Sequence, residues 1–196
     1  MLTGVTSKTI IRKLIHTLGA LILVVRYFWG ITAAQLVIGV LSVIYLTSEY
    51  FRLSGRSLPV LTWLVTSASQ DREQKGVVMT PLWYALGAFT TLSMFPLRQA
   101  IVGILTLAVG DPVASLVGLT SENTHKIPFN NDKSYEGSLA GILASWIFCL
   151  IFIESRMALI GCTAGMLAEA LPLKVNDNVL IPVVAAAAAY GYSLYL

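Results

Sequence analysis

The chain has 196 residues, of which 56% are hydrophobic and only 12% charged, with a formal net charge of +3 and a mean hydropathy of +0.77. Soluble domains carry about 25% charged residues, so this composition excludes an ordinary soluble domain and points to a polytopic membrane protein. The small positive charge is spread along the chain without a basic cluster, which excludes nucleic acid as a partner.

The apolar runs predict an all-α fold, a single integral-membrane domain over 1–196 with about seven transmembrane helices. They lie at roughly 8–26, 31–51, 80–96, 98–118, 137–154, 157–172 and 178–196. No cleavable signal pattern opens the chain. With the N-terminus in the cytoplasm, ten cations fall inside: Lys8, Arg12, Lys13, Arg52, Arg56, Arg72, Lys75, Lys126, Lys133 and Lys174. Arg26, Arg98 and Arg156 fall outside, so the positive-inside rule supports this orientation. Cys149 and Cys162 both sit in apolar runs without CxxC spacing and read as core residues.

The first span opens with RKLIHTLG. Arg12 and His16, four apart, share a helix face, with Lys13 beside His16. Arg12 and Lys13 suit interfacial anchors, with a site role equally open to Lys13, whereas His16 lies one turn deeper, where a polar ring needs a partner. The second span ends in TSEYFR, and Glu49 and Arg52, three apart, can pair at the inner boundary. Glu49 precedes Tyr50 and Phe51 and is read as a site residue. In the long loop that follows, Ser69–Gly76 reads as a solvated amphipathic piece. The third span has no charge and reads as packing, with small residues permitting close contact.

The fourth span leads into the central stretch, 110–141, GDPVASLVGLTSENTHKIPFNNDKSYEGSLAG. A carboxylate at membrane depth marks a functional site by default. Asp-Pro is also a helix-start pattern, with Asp111 as N-cap and Pro112 in the first turn. A span broken at Gly110 would offer phosphate a half-helix N-terminus. Asp111, Ala114, Ser115 and Gly118 would share one face, and three of these four are small. Asp111 suits a Mg²⁺ ligand, because magnesium takes one or two carboxylates with phosphate oxygens and water. Lys126 and Lys133 can meet phosphates as point charges, and Ser134 can donate to a phosphate oxygen. Glu136 is also a favourable first-turn acid, and His125 reads as solvated loop. No GxxxxGK[ST] run is present, so this is not a P-loop.

The sixth and seventh spans flank AEALPLKVNDNVLIP. Asp177 reads as the N-cap of the last helix. Glu169, Asp177, Asn178 and Asp111 all fall on the cytoplasmic side. Carboxylates gathered there repel one another unless a metal neutralises them. A Mg²⁺–nucleotide site built from several spans follows.

These motifs resemble the family of CTP-dependent lipid alcohol kinases, which includes dolichol kinase, phytol kinase and CTP-dependent diacylglycerol kinase. The matching pieces are RKLIHTLG at 12–19, SEYFR at 48–52, GDPVASLVG at 110–118, HKIP at 125–128, DKSYEGSLAG at 132–141 and EALPLKVNDNVLIP at 169–182. The resemblance implies transfer of the γ-phosphate of CTP to the hydroxyl of a membrane lipid alcohol, with Mg²⁺. It implies an integral membrane enzyme whose active site faces the cytoplasm. Asp111, Lys133, Glu136 and Glu169 are then the catalytic candidates. Arg12, His16, Gly110, Ser115, Lys126, Lys133, Ser134, Gly137 and Asn178 are the nucleotide candidates. Asp111 and Asp177 are expected to hold the metal, and Glu49 and Arg52 to meet the lipid. The partners are CTP, a long-chain lipid alcohol and the bilayer, and a homo-oligomer is compatible with the sequence. Where many members have a second glycine and a basic residue after the GDxxA helix, this chain reads TSENTHK.

Two other functions compete with this one. A cytidylyltransferase acting on a lipid phosphate would use the same CTP and Mg²⁺, but the HGG step and DRxD pair of the phosphatidate enzymes are absent. A small cation-coupled carrier would spread its charges through the membrane depth, whereas these gather at one face.

Overall fold

The chain reverses direction at Gly30. In the computed structural model, which describes residues 6–56, 62–63, 66, 76–121 and 124–195, α1 (Ser7–Leu18) passes through a short 3₁₀ turn into α2 (Ile22–Leu53). Thr6 caps α1, its hydroxyl oxygen accepting from the Thr9 N–H at 3.2 Å. Within α2, Gly30 has φ +83°, a conformation open to glycine and strained for other residues. The contacts on either side show the reversal. Arg26 donates to the Leu92 carbonyl and, at 3.0 Å, to that of Phe95. Gln35 donates to Ser93 at 2.9 Å. His16 and Tyr45 instead reach the other end of the same helix, at Tyr84 and the Val78 carbonyl. The two arms on either side of Gly30 therefore run in opposite directions along α3 (Thr80–Met94).

After Pro96 comes the most buried helix, α4 (Leu97–Leu105), a five-residue π turn (Thr106–Gly110) and α5 (Asp111–Thr120). A two-stranded antiparallel hairpin follows, β1 (Lys126–Ile127) and β2 (Asn130–Ser134), with Lys126 opposite Ser134. The chain ends with α6 (Tyr135–Cys149), α7 (Ser155–Ala170) and α8 (Asp177–Ser193). α8 packs on α7, α4 and α3, and α6 packs on α5 and α7.

Small residues let these helices approach. Gly161 and Gly165 face Ala185, Gly103 faces the Pro182 carbonyl, and Gly87 faces that of Asn178. Pro182 lies inside α8 and cannot donate a backbone hydrogen bond to Asn178, four residues earlier. Such contacts are the usual cement of helices in lipid, where packing replaces the hydrophobic effect between them. One apolar cluster joins Val102, Leu105 and Val109 to Cys149, Met157, Cys162 and Ala189. A second joins Ile22, Ala34 and Ile38 to Ala88, Leu92, Ala100 and Ile104. Both cysteines are free and buried, as expected.

Every expected apolar run contains a helix. Two segments, Ser7–Leu53 and Leu97–Thr120, are long and apolar enough to cross a membrane. The helices α3, α6, α7 and α8 have 15, 15, 16 and 17 residues. At about 1.5 Å per residue they fall short of a hydrocarbon core of about 30 Å. Leu36, Leu41 and Val43 of α2 are about three-fifths exposed, which suits lipid better than water.

The fold is helical as expected, and 126–134 adds one short hairpin. One expectation is corrected. The expected break at Gly110 does not occur. Gly110 and Asp111 both have right-handed helical backbone, and the Asp111 N–H bonds to the Thr106 carbonyl across the π turn. The piece read at 69–75, with Arg72 and Lys75, lies outside the described residues, as do Glu122 and Asn123 of TSENTHK.

Candidate active site

The π turn determines how Asp111 is presented. Its side chain does not cap α5. It projects to α1, where Lys13 Nζ donates to Asp111 Oδ2 at 3.0 Å and to Ser115 Oγ at 2.8 Å. His16 Nε2 lies 3.6 Å from the same carboxylate oxygen and 3.1 Å from the Leu107 carbonyl. That carbonyl accepts, so Nε2 carries the proton and fixes the ring's orientation. The edge of the ring meets Tyr84 with centroids 4.6 Å apart.

A second cluster lies beside the first. Lys133 on β2 donates to Glu169 on α7 and, at 3.0 Å, to Asp177 on α8. Glu169 is buried, whereas Asp177 is 42% exposed. Burial disfavours the Lys133 ammonium, but Glu169 and Asp177 outweigh it and hold its pKa above the ordinary lysine range. Asp111 adds to that effect, so the two clusters share one field. Of the three carboxylates expected to need a metal to gather, Lys13 and Lys133 offset two charges and leave one.

Between the clusters is a cavity of about 160 Å³. Arg12, Ser115, Lys126, Lys133, Ser134, Gly137 and Glu169 line it, all residues named from the sequence. Ala114, Gly118, Asp132 and Ser138 complete the polar side. Its wall depends on close approach, since a Cβ on Gly137 would meet the Ala114 carbonyl oxygen at 2.7 Å. Ser134 caps α6, accepting from the Gly137 N–H at 3.1 Å, and its own O–H stays available as a donor.

Other candidates fall elsewhere. Glu136 is bound to His125, accepting from its N–H at 3.0 Å and lying 2.6 Å from Nδ1. The His125 hydrogen bond holds the Glu136 carboxyl below the ordinary range. It clips the hairpin to α6 and does not line the cavity. His125, read as solvated loop, is exposed but held by this contact. Glu49 and Arg52 do pair, through bonds of 2.7 and 2.8 Å. Glu49 also accepts from the Val78 N–H at 2.9 Å, and Arg52 donates to the Gly76 carbonyl at 2.6 Å. This pair clamps the return of the chain into α3 and lines none of the cavities near Asp111. Gly110 is buried against Met166 and Gly141. Asn176, not Asp177, caps α8, accepting from the Asn178 N–H at 3.0 Å, which leaves the Asp177 carboxylate for Lys133. Asn178 faces Gly87.

Among the described residues no three metal-ligating side chains converge. An ion arriving on phosphate oxygens needs only one or two carboxylates. Glu169 Oε2 is a buried oxygen with no hydrogen-bond partner among the described residues, beside the cavity. With Asp111 close by, the donor set fits a nucleotide-borne Mg²⁺.

The sequence leaves Lys13 open between an anchor and a site residue, and nothing in it singles out Tyr84. Asp132 and Ser138 were also unassigned.

The chain is similar to curated kinases of lipid alcohols over most of its length. It is 26% identical to the Oryza sativa subsp. japonica protein named probable phytol kinase 1, chloroplastic, across 97% of this chain and 69% of that protein. It is 26% identical to dolichol kinase of Saccharomyces cerevisiae, across 87% of this chain but 34% of the relative. It is 27% identical to CTP-dependent diacylglycerol kinase 1 of Schizosaccharomyces pombe, across 91% of each. No protein-family model and no solved structure matches the chain. These relatives are the family that the motifs resembled, and they support an enzyme of the lipid kinase kind.

Proposed function

We propose that this chain is a CTP-dependent kinase that moves the γ-phosphate of CTP to the hydroxyl of a membrane lipid alcohol, giving a lipid monophosphate. One observation carries the reading. Two lysines and three carboxylates from five separate elements form two adjoining ion-pair clusters beside one polar cavity, which Lys133 and Glu169 line. Phosphoryl transfer needs this kind of site, since it depends on positioning and charge neutralisation rather than covalent help. The CTP donor rests on the motif resemblance and on the name of the fission-yeast relative.

Lys13, Lys126 and Lys133 steady the phosphates as point charges, with Ser115 and Ser134 donating hydroxyl hydrogen bonds. Arg12 lines the same cavity and adds a planar donor. Asp111, with Glu169 or Asp177, would hold Mg²⁺, which supplies charge neutralisation across the phosphates. Glu169 is favoured over Glu136 as the group that accepts the alcohol proton, because it lines the cavity while Glu136 is bound to His125. His16 orients the acceptor side. The whole of 1–196 acts as one domain with seven spans, the N-terminus and the site facing the cytoplasm. The positive-inside count supports this orientation.

Radiolabel transfer tests the reading. Purified protein with Mg²⁺ and a panel of lipid alcohols would receive CTP labelled at either the γ or the α position. Label passing from γ into a lipid monophosphate is expected. Label passing only from α, with a lipid phosphate as acceptor, would establish a cytidylyltransferase instead. Transfer from neither position would return a carrier to consideration.

A further inference from the structure

A larger and almost wholly apolar cavity, of about 390 Å³, lies between the α1–α2 arms and α3. Leu21, Ile22, Val37, Leu41, Leu82 and Ala85 are among its walls. Its few polar groups are mostly spent inside the protein. The Ser42 hydroxyl donates to the Ile38 carbonyl and that of Tyr45 to the Val78 carbonyl. Tyr84 is the exception, since its hydroxyl is buried with no hydrogen-bond partner among the described residues. Native proteins pair nearly all such groups, so this one needs an explanation.

The position of Tyr84 supplies one. Gly19, Pro81 and Tyr84 also line a recess of about 150 Å³ that reaches Arg12 and His16. Arg12 in turn lines the polar cavity. The three spaces are thus neighbours in series, each sharing lining residues with the next. An apolar trough ends at one unpaired hydroxyl, then at a histidine 3.6 Å from Asp111, then at the lysines. The lack of a side chain at Gly19 lets the Tyr84 hydroxyl press against the 3₁₀ turn at this junction.

We infer that this trough holds the hydrocarbon tail of the lipid alcohol, with its hydroxyl at Tyr84 and His16. The inference rests on the kinase reading and adds to it the path of the acceptor. An apolar wall with one unpaired polar group at its inner end matches a ligand with one hydroxyl on an apolar chain. Ligand pockets span roughly 300–1,000 Å³, and this one is at the low end. It has room for a section of tail, and its wall residues Leu21 and Leu41 are about three-fifths exposed, so the rest of the lipid can lie in the bilayer.

Two substitutions on facing walls test it, Ala85→Trp on α3 and Ser42→Trp on α2. Each is expected to raise KM for geranylgeraniol at least tenfold, leaving KM for CTP unchanged and phosphorylation of a five-carbon alcohol undiminished. An unchanged KM for geranylgeraniol in both would overturn the proposal. Tyr84→Phe removes an unpaired hydroxyl, so Tm should hold or rise while kcat/KM for the alcohol falls severalfold; an unchanged kcat/KM counts against the assignment. Should the tryptophan variants not fold, the wild-type protein is photolabelled with geranylgeraniol carrying a tail diazirine. Adducts within 37–45 or 81–88 support the trough, and adducts confined to other segments sink it. Labelling there without phosphoryl transfer leaves the trough standing and removes the kinase reading. Transfer with labelling elsewhere does the reverse.

Discussion

Lys133 is the residue whose loss should be felt most, and the size of the effect follows from where its partners sit. The Glu169 side chain is 2% exposed and that of Lys133 21%, whereas Asp177 is 42% exposed. Removing one member of a buried pair costs about 3–5 kcal/mol, because the other charge is left uncompensated. A half-exposed partner contributes about 0.2–1 kcal/mol. Lys133→Met should therefore destabilise by about 3 kcal/mol or more, nearly all of it through Glu169. Glu169→Gln removes the stranded charge, so the double variant should be less damaged than the two single losses added together. The coupling should be about 2 kcal/mol, near the upper end for residues in contact. Asp177→Asn alone should cost less than about 1 kcal/mol. Denaturant midpoints in mild detergent for wild type, both single variants and the double variant measure this. Additivity within about 0.5 kcal/mol would refute the claim that Lys133 is held chiefly by Glu169.

Four further outcomes follow from the same geometry. Gly137→Ala would place a methyl 2.7 Å from the Ala114 carbonyl oxygen, and the overpacking should cost about 1–3 kcal/mol, seen as a lower Tm and weaker CTP binding. Ser134→Ala removes the α6 cap and should cost about 1 kcal/mol, with Ser134→Thr restoring most of it in the same melt. Glu169→Gln should lower kcat at least about a hundredfold, the usual scale for a lost acid–base group, while Glu136→Gln leaves kcat within a few-fold; equal losses would contradict the assignment. The Glu136–His125 clip has an acid limit. The Glu136 carboxyl is held low by the His125 hydrogen bond, so its contribution is complete above the ordinary carboxylate range and lost as pH falls through the lowered value. Hydrogen exchange at the His125 amide should accelerate over that window in wild type and show no such step in Glu136→Gln.

The placement of helices was legible because it is a local property. Apolar runs bounded by charge or proline put segments at 80–96 and 98–118, and the helices found are Thr80–Met94 and, through its π turn, Leu97–Thr120. The cavity lining was legible for a different reason. Lys133, Ser134 and Gly137 sit within one short motif, and Ser115 is one turn from Asp111. What was not legible depends on partners far away in the chain. Lys13 and Asp111 are 98 positions apart, and nothing local to Lys13 distinguishes a site lysine from an interfacial anchor. The pattern Glu-x-x-Arg in 49–52 is likewise the same whether it meets a substrate or clamps the Val78 backbone. The hold on the Val78 backbone depends on a segment 29 positions away.

The Asp-Pro step shows most clearly why a local rule gave way. In water, Asp111 followed by Pro112 is a good place to start a helix, since an N-cap carboxylate and a residue without an N–H suit the first turn. Inside a bundle that excludes water, a fresh start would leave the carbonyls of the preceding turn without donors, at a cost of several kcal/mol each. The chain instead widens one turn. Thr106 accepts from the Asp111 N–H, five residues on, and its hydroxyl donates to the Val102 carbonyl at 2.7 Å. Pro112 is thereby carried within a nearly continuous helix, in which it would otherwise break a bond. The consequence is chemical. The carboxylate no longer folds over its own helix end, and that end offers no free N–H groups to a phosphate. The carboxylate points sideways to Lys13 and His16, so the cations beside it come from α1 and, through Lys133, from β2. A site built this way has its charges on separate elements, and it forms only when the hairpin and the N-terminal arm are both packed against α5.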